Sequence, residues 1–307
     1  MKIIFFGSDD FAQHHLEQLL GSSYQVAVII TQPDKPKGRS LRVEPSPIKV
    51  CAQKNNIPVM QPQKIKDEAF IDELKRIGAD FFIVIAYGKI LPQGLLDLPK
   101  KAAVNVHASL LPKYRGAAPI NWAIINGEKE TGVSIIKMSA ELDAGDILSQ
   151  SKMKISDDDT ALTLREKMKN EGAELLLQTI KTFEKIVPAA QNPKEVSFAP
   201  KLTKELGKID WRKEAQTIHN LVRGLQPWPS AYTVYQNKLL KILSSEVVDG
   251  SWPDKRPGEV VEILQKGFII KTKQQGLLIK DVHLEASKPM DANSFIRGHR
   301  LDAGFVF

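Results

Sequence analysis

Two periodicities alternate along the first half of the chain, and that alternation limits the possible folds most. Short apolar runs at Lys2–Phe6, Gln25–Thr31, Phe81–Ile85 and Val104–His107 read as strands. In the second run Val26, Val28, Ile29 and Ile30 leave neither face polar, as in a strand covered on both sides. Between the runs, apolar residues return at helical spacing. Phe11, Leu16, Leu19 and Leu20 mark a helix over Phe11–Leu20, and further helices are expected over Ile48–Asn55 and Asp67–Ile77. Strands separated by helices predict an α/β fold with a doubly wound parallel sheet. Ligands of such sheets bind beyond the carboxyl ends of the strands.

The pattern changes after about residue 185. Val187–Pro193 reads as a break, Phe198–Leu206 as an extended connection and Lys213–Val222 as a helix. Short strands follow at Tyr232–Tyr235, Leu239–Leu243, Gly258–Leu264, Phe268–Thr272 and Leu277–Val282. Asp249-Gly250, Lys266-Gly267 and Gln275-Gly276 supply turn chemistry between them. That spacing predicts a small β-barrel. A chain of 307 residues accommodates two such domains.

Cys51 is the lone cysteine, so no internal disulfide can form; a reducing compartment and a buried structural role are expected. The apolar start at Met1–Phe6 is too short for a signal peptide and ends in Gly7-Ser8-Asp9-Asp10. No stretch approaches the ~20 apolar residues of a membrane helix. The expectation is a soluble, cytoplasmic protein with no membrane association and no need to be more than a monomer. No His, Cys, Asp and Glu spacing resembles a metal site. A nicotinamide cofactor is not expected, because Gly7-Ser8-Asp9-Asp10 lacks the G-x-G-x-x-G fingerprint.

The stretch Asn105-Val106-His107 carries the most chemistry. Residues i and i+2 of a strand project to the same side, so an amide stands beside an imidazole at a strand end. Such a pair suits a carbonyl oxygen that becomes negative on attack. Pro112 then ends regular structure and leaves a loop able to wall a pocket. Asp143, in the turn-like Asp143-Ala144-Gly145, is the carboxylate that can orient His107 if the fold brings them together. Asp146 competes for that role or is a solvated turn residue.

Asn105-Val106-His107, Ser109-Leu110-Leu111-Pro112, Arg115-Gly116 and Leu142-Asp143-Ala144-Gly145-Asp146 together resemble the formyltransferase family that uses 10-formyltetrahydrofolate. The likeness extends over nearly the whole chain. It includes Thr31-Gln32-Pro33-Asp34, Gly38-Arg39, Pro45-Ser46-Pro47, Ala86-Tyr87-Gly88, Ile90-Leu91-Pro92, Ile209-Asp210-Trp211 and Pro227-Trp228-Pro229. The resemblance implies a Rossmann-like catalytic domain over 1–188, a linker over 189–206 and an oligonucleotide-binding-like (OB-like) barrel over 207–307 that binds tRNA. It implies Asn105, His107 and Asp143 as the catalytic trio. Ser109, Leu110, Leu111 and Pro112 would form the folate loop, and Tyr87, Gly88, Ile90 and Leu91 would line the pterin pocket. The donor would be 10-formyltetrahydrofolate, and the acceptor the α-amino group of methionine on initiator tRNA, for translation initiation.

The loop 34–49 bears on the acceptor. Lys35, Lys37, Arg39, Arg42 and Lys49 stand against Asp34 and Glu44, and Gly38 with three prolines keeps it non-helical. In the tRNA-dependent members of that family this loop enters the acceptor stem, with an arginine at the position of Arg39. Here Leu41-Arg42-Val43-Glu44 departs from a uniformly basic run, and Ser8-Asp9-Asp10 lacks an expected proline. A solvated excursion is the alternative reading of the loop. The net charge of +7 suits a polyanionic partner without requiring one. Lys208, Arg212, Lys213, Arg223, Arg297 and Arg300 are candidate phosphate contacts, while Trp122, Trp211, Trp228 and Trp252 read as core. Rival functions are a formyltransferase for a small amine (an amino sugar nucleotide or glycinamide ribonucleotide), a 10-formyltetrahydrofolate hydrolase, and a non-enzymatic RNA-binding protein.

Overall fold

The computed structural model describes residues 1–37 and 42–307, the side chains of 35–37, 42 and 43 excepted. In chain order the elements are β1 (Lys2–Gly7), α1 (Asp10–Leu20), β2 (Gln25–Ile30), β3 (Lys35–Lys37), β4 (Arg42–Glu44), α2 (Pro47–Lys54), β5 (Val59–Met60), α3 (Glu68–Ile77), β6 (Phe81–Ile85), α4 (Gln93–Leu96), β7 (Ala102–His107) and β8 (Arg115–Gly116). Then come α5 (Pro119–Ile125), β9 (Glu130–Lys137), β10 (Ile147–Lys154), α6 (Ala161–Thr182), β11 (Phe198–Ala199), α7 (Ala215–Gly224), β12 (Ala231–Tyr235), β13 (Lys238–Val248), β14 (Val260–Leu264), β15 (Gly267–Lys271), β16 (Gly276–Leu284), β17 (Met290–Asp291) and α8 (Ala292–His299). They form two compact units. The first comprises 1–116, 131–153 and 165–198; the second comprises 117–130, 154–164 and 199–307.

The first unit is built on a sheet ordered β10-β9-β7-β6-β1-β2-β5. The strands from β5 to β7 pair in parallel, and β9 runs antiparallel to β7. The wholly apolar runs predicted as strands are its centre: Ile3 to Phe6 and Phe81 to Ile85 are buried almost completely. Helices α1 and α3 start where a short polar side chain satisfies a free backbone N–H. Asp9 accepts from Ala12 N at 3.0 Å to open α1, and Asp67 accepts from Phe70 N at 3.2 Å to open α3. The first helix then buries Phe11, Ala12, His15, Leu16 and Leu19. Arg165 and Lys169 of α6 close over its start, with Arg165 2.6 Å from Asp9 and Lys169 2.6 Å from Asp10.

The second unit holds an antiparallel sheet ordered β12-β13-β16-β15-β14, with β17 paired to β16. Its core gathers Trp211, Tyr235, Phe268, Phe295 and the branched aliphatics of β13 to β16. The expected closed barrel is not observed: among the described residues no pairing joins β12 to β14. The physical reason lies at the two edges, each of which is occupied by another segment. Ile209 N donates to Tyr232 O at 2.9 Å along β12. At β14, Val260 N donates to Phe305 O and Gly304 N to Val260 O, both at 2.8 Å. The backbone groups used in this way at each edge are not available for pairing between β12 and β14. Among the described residues, no helix is long and apolar enough to cross a membrane.

Candidate active site

From β1 the chain proceeds outward to β2 and β5, then returns to β1's other side for β6 and β7. The order therefore reverses between β1 and β6, and the crevice outside their carboxyl ends is where such sheets take ligands. Gly7, the Ala86-Tyr87-Gly88 turn, Asn105 and His107 all lie at these ends. Gly7 has no room for a side chain, since an added Cβ would stand 2.6 Å from Ala12 Cβ. Gly88 sits at φ +76°, where Gln32 Nε2 would be 2.5 Å from an added Cβ.

Asn105 and His107 share a side of β7, as the i, i+2 spacing predicts, and Val106 turns into the core. Asn105 Nδ2 donates to Val84 O at 2.9 Å. That contact fixes the amide, because a flip would set one carbonyl oxygen against another. Its Oδ1 is buried without a partner, and one N–H of the amide remains for a further acceptor. His107 is 6% exposed, and its Nε2 lies 2.9 Å from Tyr114 O. A carbonyl only accepts, so the Nε2–H donates there and the tautomer is set. The other nitrogen, Nδ1, faces Asp143 Oδ2 at 3.6 Å. The fold thus does bring Asp143 to His107. Asp146 is exposed, and its backbone O accepts from Lys137 N at 2.9 Å.

Asp143 is held from several directions. Its Oδ2 accepts from Gly116 N at 2.8 Å, and its backbone adopts φ +49°. Gly145 packs against β9 so closely that an added Cβ would stand 1.8 Å from Lys137 O. Gln191 Nε2 donates to Asp143 O at 2.7 Å and to Gly145 O at 2.8 Å. Its Oε1 accepts from Arg115 Nε at 3.0 Å and Arg115 Nη2 at 2.8 Å. The sequence flagged Arg115 only as part of a motif and gave no sign of Gln191. Ser197 also binds this region, its Oγ accepting from Tyr114 N at 2.9 Å.

The loop after His107 is shaped from within. Ser109 is fully buried, with Oγ donating to Lys113 O at 2.6 Å. Ser134 of β9 donates to Ser109 O at 2.6 Å and accepts from Leu111 N at 3.0 Å. Leu111 is buried, while Leu110 and Pro112 are half-buried. Across the crevice Tyr87 and Leu91 are each 2% exposed, whereas Gly88 is exposed and Ile90 is 70% exposed. The Tyr87 hydroxyl is buried with no partner, and burial pushes it up to about 12, so it stays a neutral phenol. Tyr87 and Leu91 pack in the core cluster with Phe6, Phe82 and Leu95, so these two side chains stiffen the turn at the strand end. Among the described residues no group of three or more His, Cys, Asp or Glu is placed to hold a metal ion.

The basic loop is a hairpin in which Lys35 pairs with Glu44 and Lys37 with Arg42. Arg39 lies outside the described residues. Both ends of the loop are pinned. Lys49 Nζ reaches Asp34 Oδ2 at 2.5 Å and Gln61 Oε1 at 2.8 Å, and Gln61 Nε2 donates to Asp34 Oδ1 at 2.8 Å. In the second unit Lys208 is exposed, as is Arg212, which pairs with Asp210 at 2.8 Å. Arg223 leaves the set of phosphate candidates: it is 4% exposed, bonded to Asn220 Oδ1, Ser156 O and Asp159 O. Trp211 is core, as expected, but Trp228 is half-exposed.

The Formyl transferase family profile matches residues 1–180, and that of the Formyl transferase C-terminal domain matches residues 201–300. The methionyl-tRNA formyltransferase of Caldanaerobacter subterraneus subsp. tengcongensis is 44% identical over 309 residues, covering 100% of this chain and 99% of its own. That of Clostridioides difficile is 42% identical over 308 residues, with the same coverage of 100% and 99%. Among solved structures, the sugar 3N-formyl transferase WlaRD, crystallised with dTDP and 5-N-formyl-THF, superposes with a TM-score of 0.69 at 22% identity, covering 94% of this chain and 99% of its own. HypX from Aquifex aeolicus in complex with tetrahydrofolic acid gives a TM-score of 0.65 at 18% identity, covering 97% of this chain; the chain spans 47% of HypX. At these identities the two structures establish a shared fold.

Proposed function

This chain belongs to the formyl transferase family, and we propose that it moves the formyl group of 10-formyltetrahydrofolate to the α-amino group of methionine on initiator tRNA. The observation that carries the reading is the convergence of Asn105, His107 and Asp143 at the carboxyl ends of the central strands. Full-length relatives that are methionyl-tRNA formyltransferases support the acceptor. A cytoplasmic site of action and a role in translation initiation follow from that substrate.

In the proposed mechanism the neutral amine attacks the formyl carbon. A new C–N bond forms, the bond to the folate N10 breaks, and a proton passes from the amine to N10. The remaining Asn105 N–H would donate to the oxygen that gains charge; a donor so placed is worth ~10²–10³ in rate. Tyr114 O holds the proton on His107 Nε2, so Nδ1 carries the lone pair on the side of Asp143. The pair can take the amine proton and return it, directly or through water. Tyr87, Gly88, Ile90 and Leu91 would hold the pterin, and Ser109 to Pro112 would wall the folate. Domain 1–188 would carry the chemistry and 207–307 the tRNA, with the open antiparallel sheet doing the work expected of an OB-like barrel. Lys35, Lys37, Arg39, Arg42 and Lys208 would meet tRNA phosphates, which position the substrate without reading its sequence.

The test is formyl transfer to charged initiator methionyl-tRNA, run beside elongator methionyl-tRNA and with the Asn105→Ala, His107→Ala and Arg39→Ala variants. Transfer to the initiator alone is expected. Turnover should fall at least ~10²-fold in the first two variants. Arg39→Ala should weaken transfer. Wild-type turnover in folded His107→Ala would sink the catalytic assignment. Folate binding without transfer to either tRNA would move the acceptor to a small amine or water.

A further inference from the structure

Gln191 lies 48 residues beyond Asp143, in the segment that follows α6, yet its amide is fully spent around the site. Its Oε1 accepts both Arg115 contacts, and its Nε2 gives one N–H to Asp143 O and the other to Gly145 O. A guanidinium only donates and carbonyls only accept, so the amide has one permitted orientation. Arg115 is 8% exposed, which gives its fork a fixed and weakly screened position from which to hold the amide.

The two stretches that Gln191 joins are those that control the His107–Asp143 pair. Tyr114-Arg115-Gly116 presents Tyr114 O to His107 Nε2 and Gly116 N to Asp143 Oδ2. Residues 143–145 carry the carboxylate itself, on a backbone with φ +49° at Asp143. A non-glycine residue in that conformation is held there by its surroundings. The pair stands at 3.6 Å, just beyond hydrogen-bond length, so a shift of a few tenths of an ångström decides whether a proton taken up at Nδ1 can be shared with the carboxylate.

We propose that Gln191, locked by Arg115, is a positioning residue that sets the Asp143 carboxylate against the His107 imidazole. This rests on the catalytic assignment above. A tie that only staples the fold would lower stability and leave the turnover of each folded molecule unchanged. A positioning residue instead acts on kcat, and acts through Asp143.

The experiment is a double-mutant cycle on the full chain: Gln191→Ala and Asp143→Asn, singly and together. Turnover and KM for donor and methionyl-tRNA are measured between pH 5.5 and 9, alongside thermal unfolding. Gln191→Ala should lower kcat about tenfold to a hundredfold, the scale of small misplacements. Both KM values should stay within about threefold, and the acid limb of the pH–rate profile should move. In the Asp143→Asn background the same substitution should cost little more, because the group it positions has already lost its charge. Gln191→Glu covers a poorly folded alanine variant. It keeps the Arg115 contact but sets a carboxylate against the Asp143 and Gly145 carbonyls, so it too should lose turnover. Equal fold-losses in both backgrounds, or unchanged kcat beside a lowered unfolding temperature, overturn the proposal. Wild-type turnover in Asp143→Asn overturns the catalytic assignment with it.

Discussion

Gly145→Ala is the substitution that tests most directly how the carboxylate is placed. An added Cβ would lie 1.8 Å from Lys137 O and 2.9 Å from Lys137 C. Carbon and oxygen atoms rest at roughly 3.5 Å, so something must give by about 1.7 Å. Lys137 belongs to β9, which is paired on both sides within the sheet, so the loop 143–146 is the part that moves. Asp143 sits two residues away and faces His107 at 3.6 Å. A displacement of that size removes the alignment, and misplacements of about 1 Å cost on the order of 10² in rate. Steady-state kinetics should show kcat down by about that factor, KM nearly unchanged and circular dichroism intact. Gly94→Ala is the control, because nothing stands within 4 Å of its added Cβ; its turnover should match the parent. Gly145→Ala with folded structure and kcat within about threefold of the parent would refute the argument that β9 fixes the carboxylate.

Two further outcomes follow from buried polar groups. Burial pushes His15 from 6.5 down to about 4, despite the Nδ1–H donated to Phe11 O at 2.7 Å. Its contribution to stability, ~3 kcal/mol, is therefore complete above the unfolded value near 6.5 and is lost as pH falls through the folded value near 4. NMR titration of the ring should find the His15 signal still neutral at pH 5.5; a midpoint near 6.5 would mean that burial does not control it. Arg223→Ala should strand the Ser156 and Asp159 carbonyls, at about 1–3 kcal/mol each. Denaturant unfolding should show that loss with tRNA affinity unchanged, whereas the reverse pattern would restore Arg223 as a phosphate contact.

The parallel sheet was legible because its central strands are apolar on both faces, so burial and strand length coincide in the sequence. Asn105 and His107 were legible for the related reason that a strand fixes i, i+2 geometry locally. The middle of the chain was harder. Strand β9 buries Thr131 and Ser134 among Val133, Ile135 and Ile136, and Ser134 is tolerated there because Ser109 O, Leu111 N and Gln150 Nε2 satisfy it. A polar residue whose partner lies 25 residues away looks like a loop residue in sequence. The long α6 is obscured likewise, since Lys169 is buried through its pairing with Asp10 on α1. The barrel expected from strand spacing failed on a matter spacing cannot express, namely which segments cover the two edges. Gln191 was invisible because nothing local distinguishes an amide that reaches 76 residues back to Arg115 from one in a solvated turn.

The pinned root of the β3–β4 hairpin bears on how such a chain can diverge. Asp34, Lys49 and Gln61 close the base of the excursion whatever lies beyond it. Once the ends are fixed, lengthening a loop costs little: doubling it adds only about 0.6 kcal/mol of closure entropy. Insertions, deletions and charge reversals between positions 35 and 44 should therefore accumulate almost freely as far as folding is concerned. Leu41-Arg42-Val43-Glu44 therefore stands where folding constrains the sequence least.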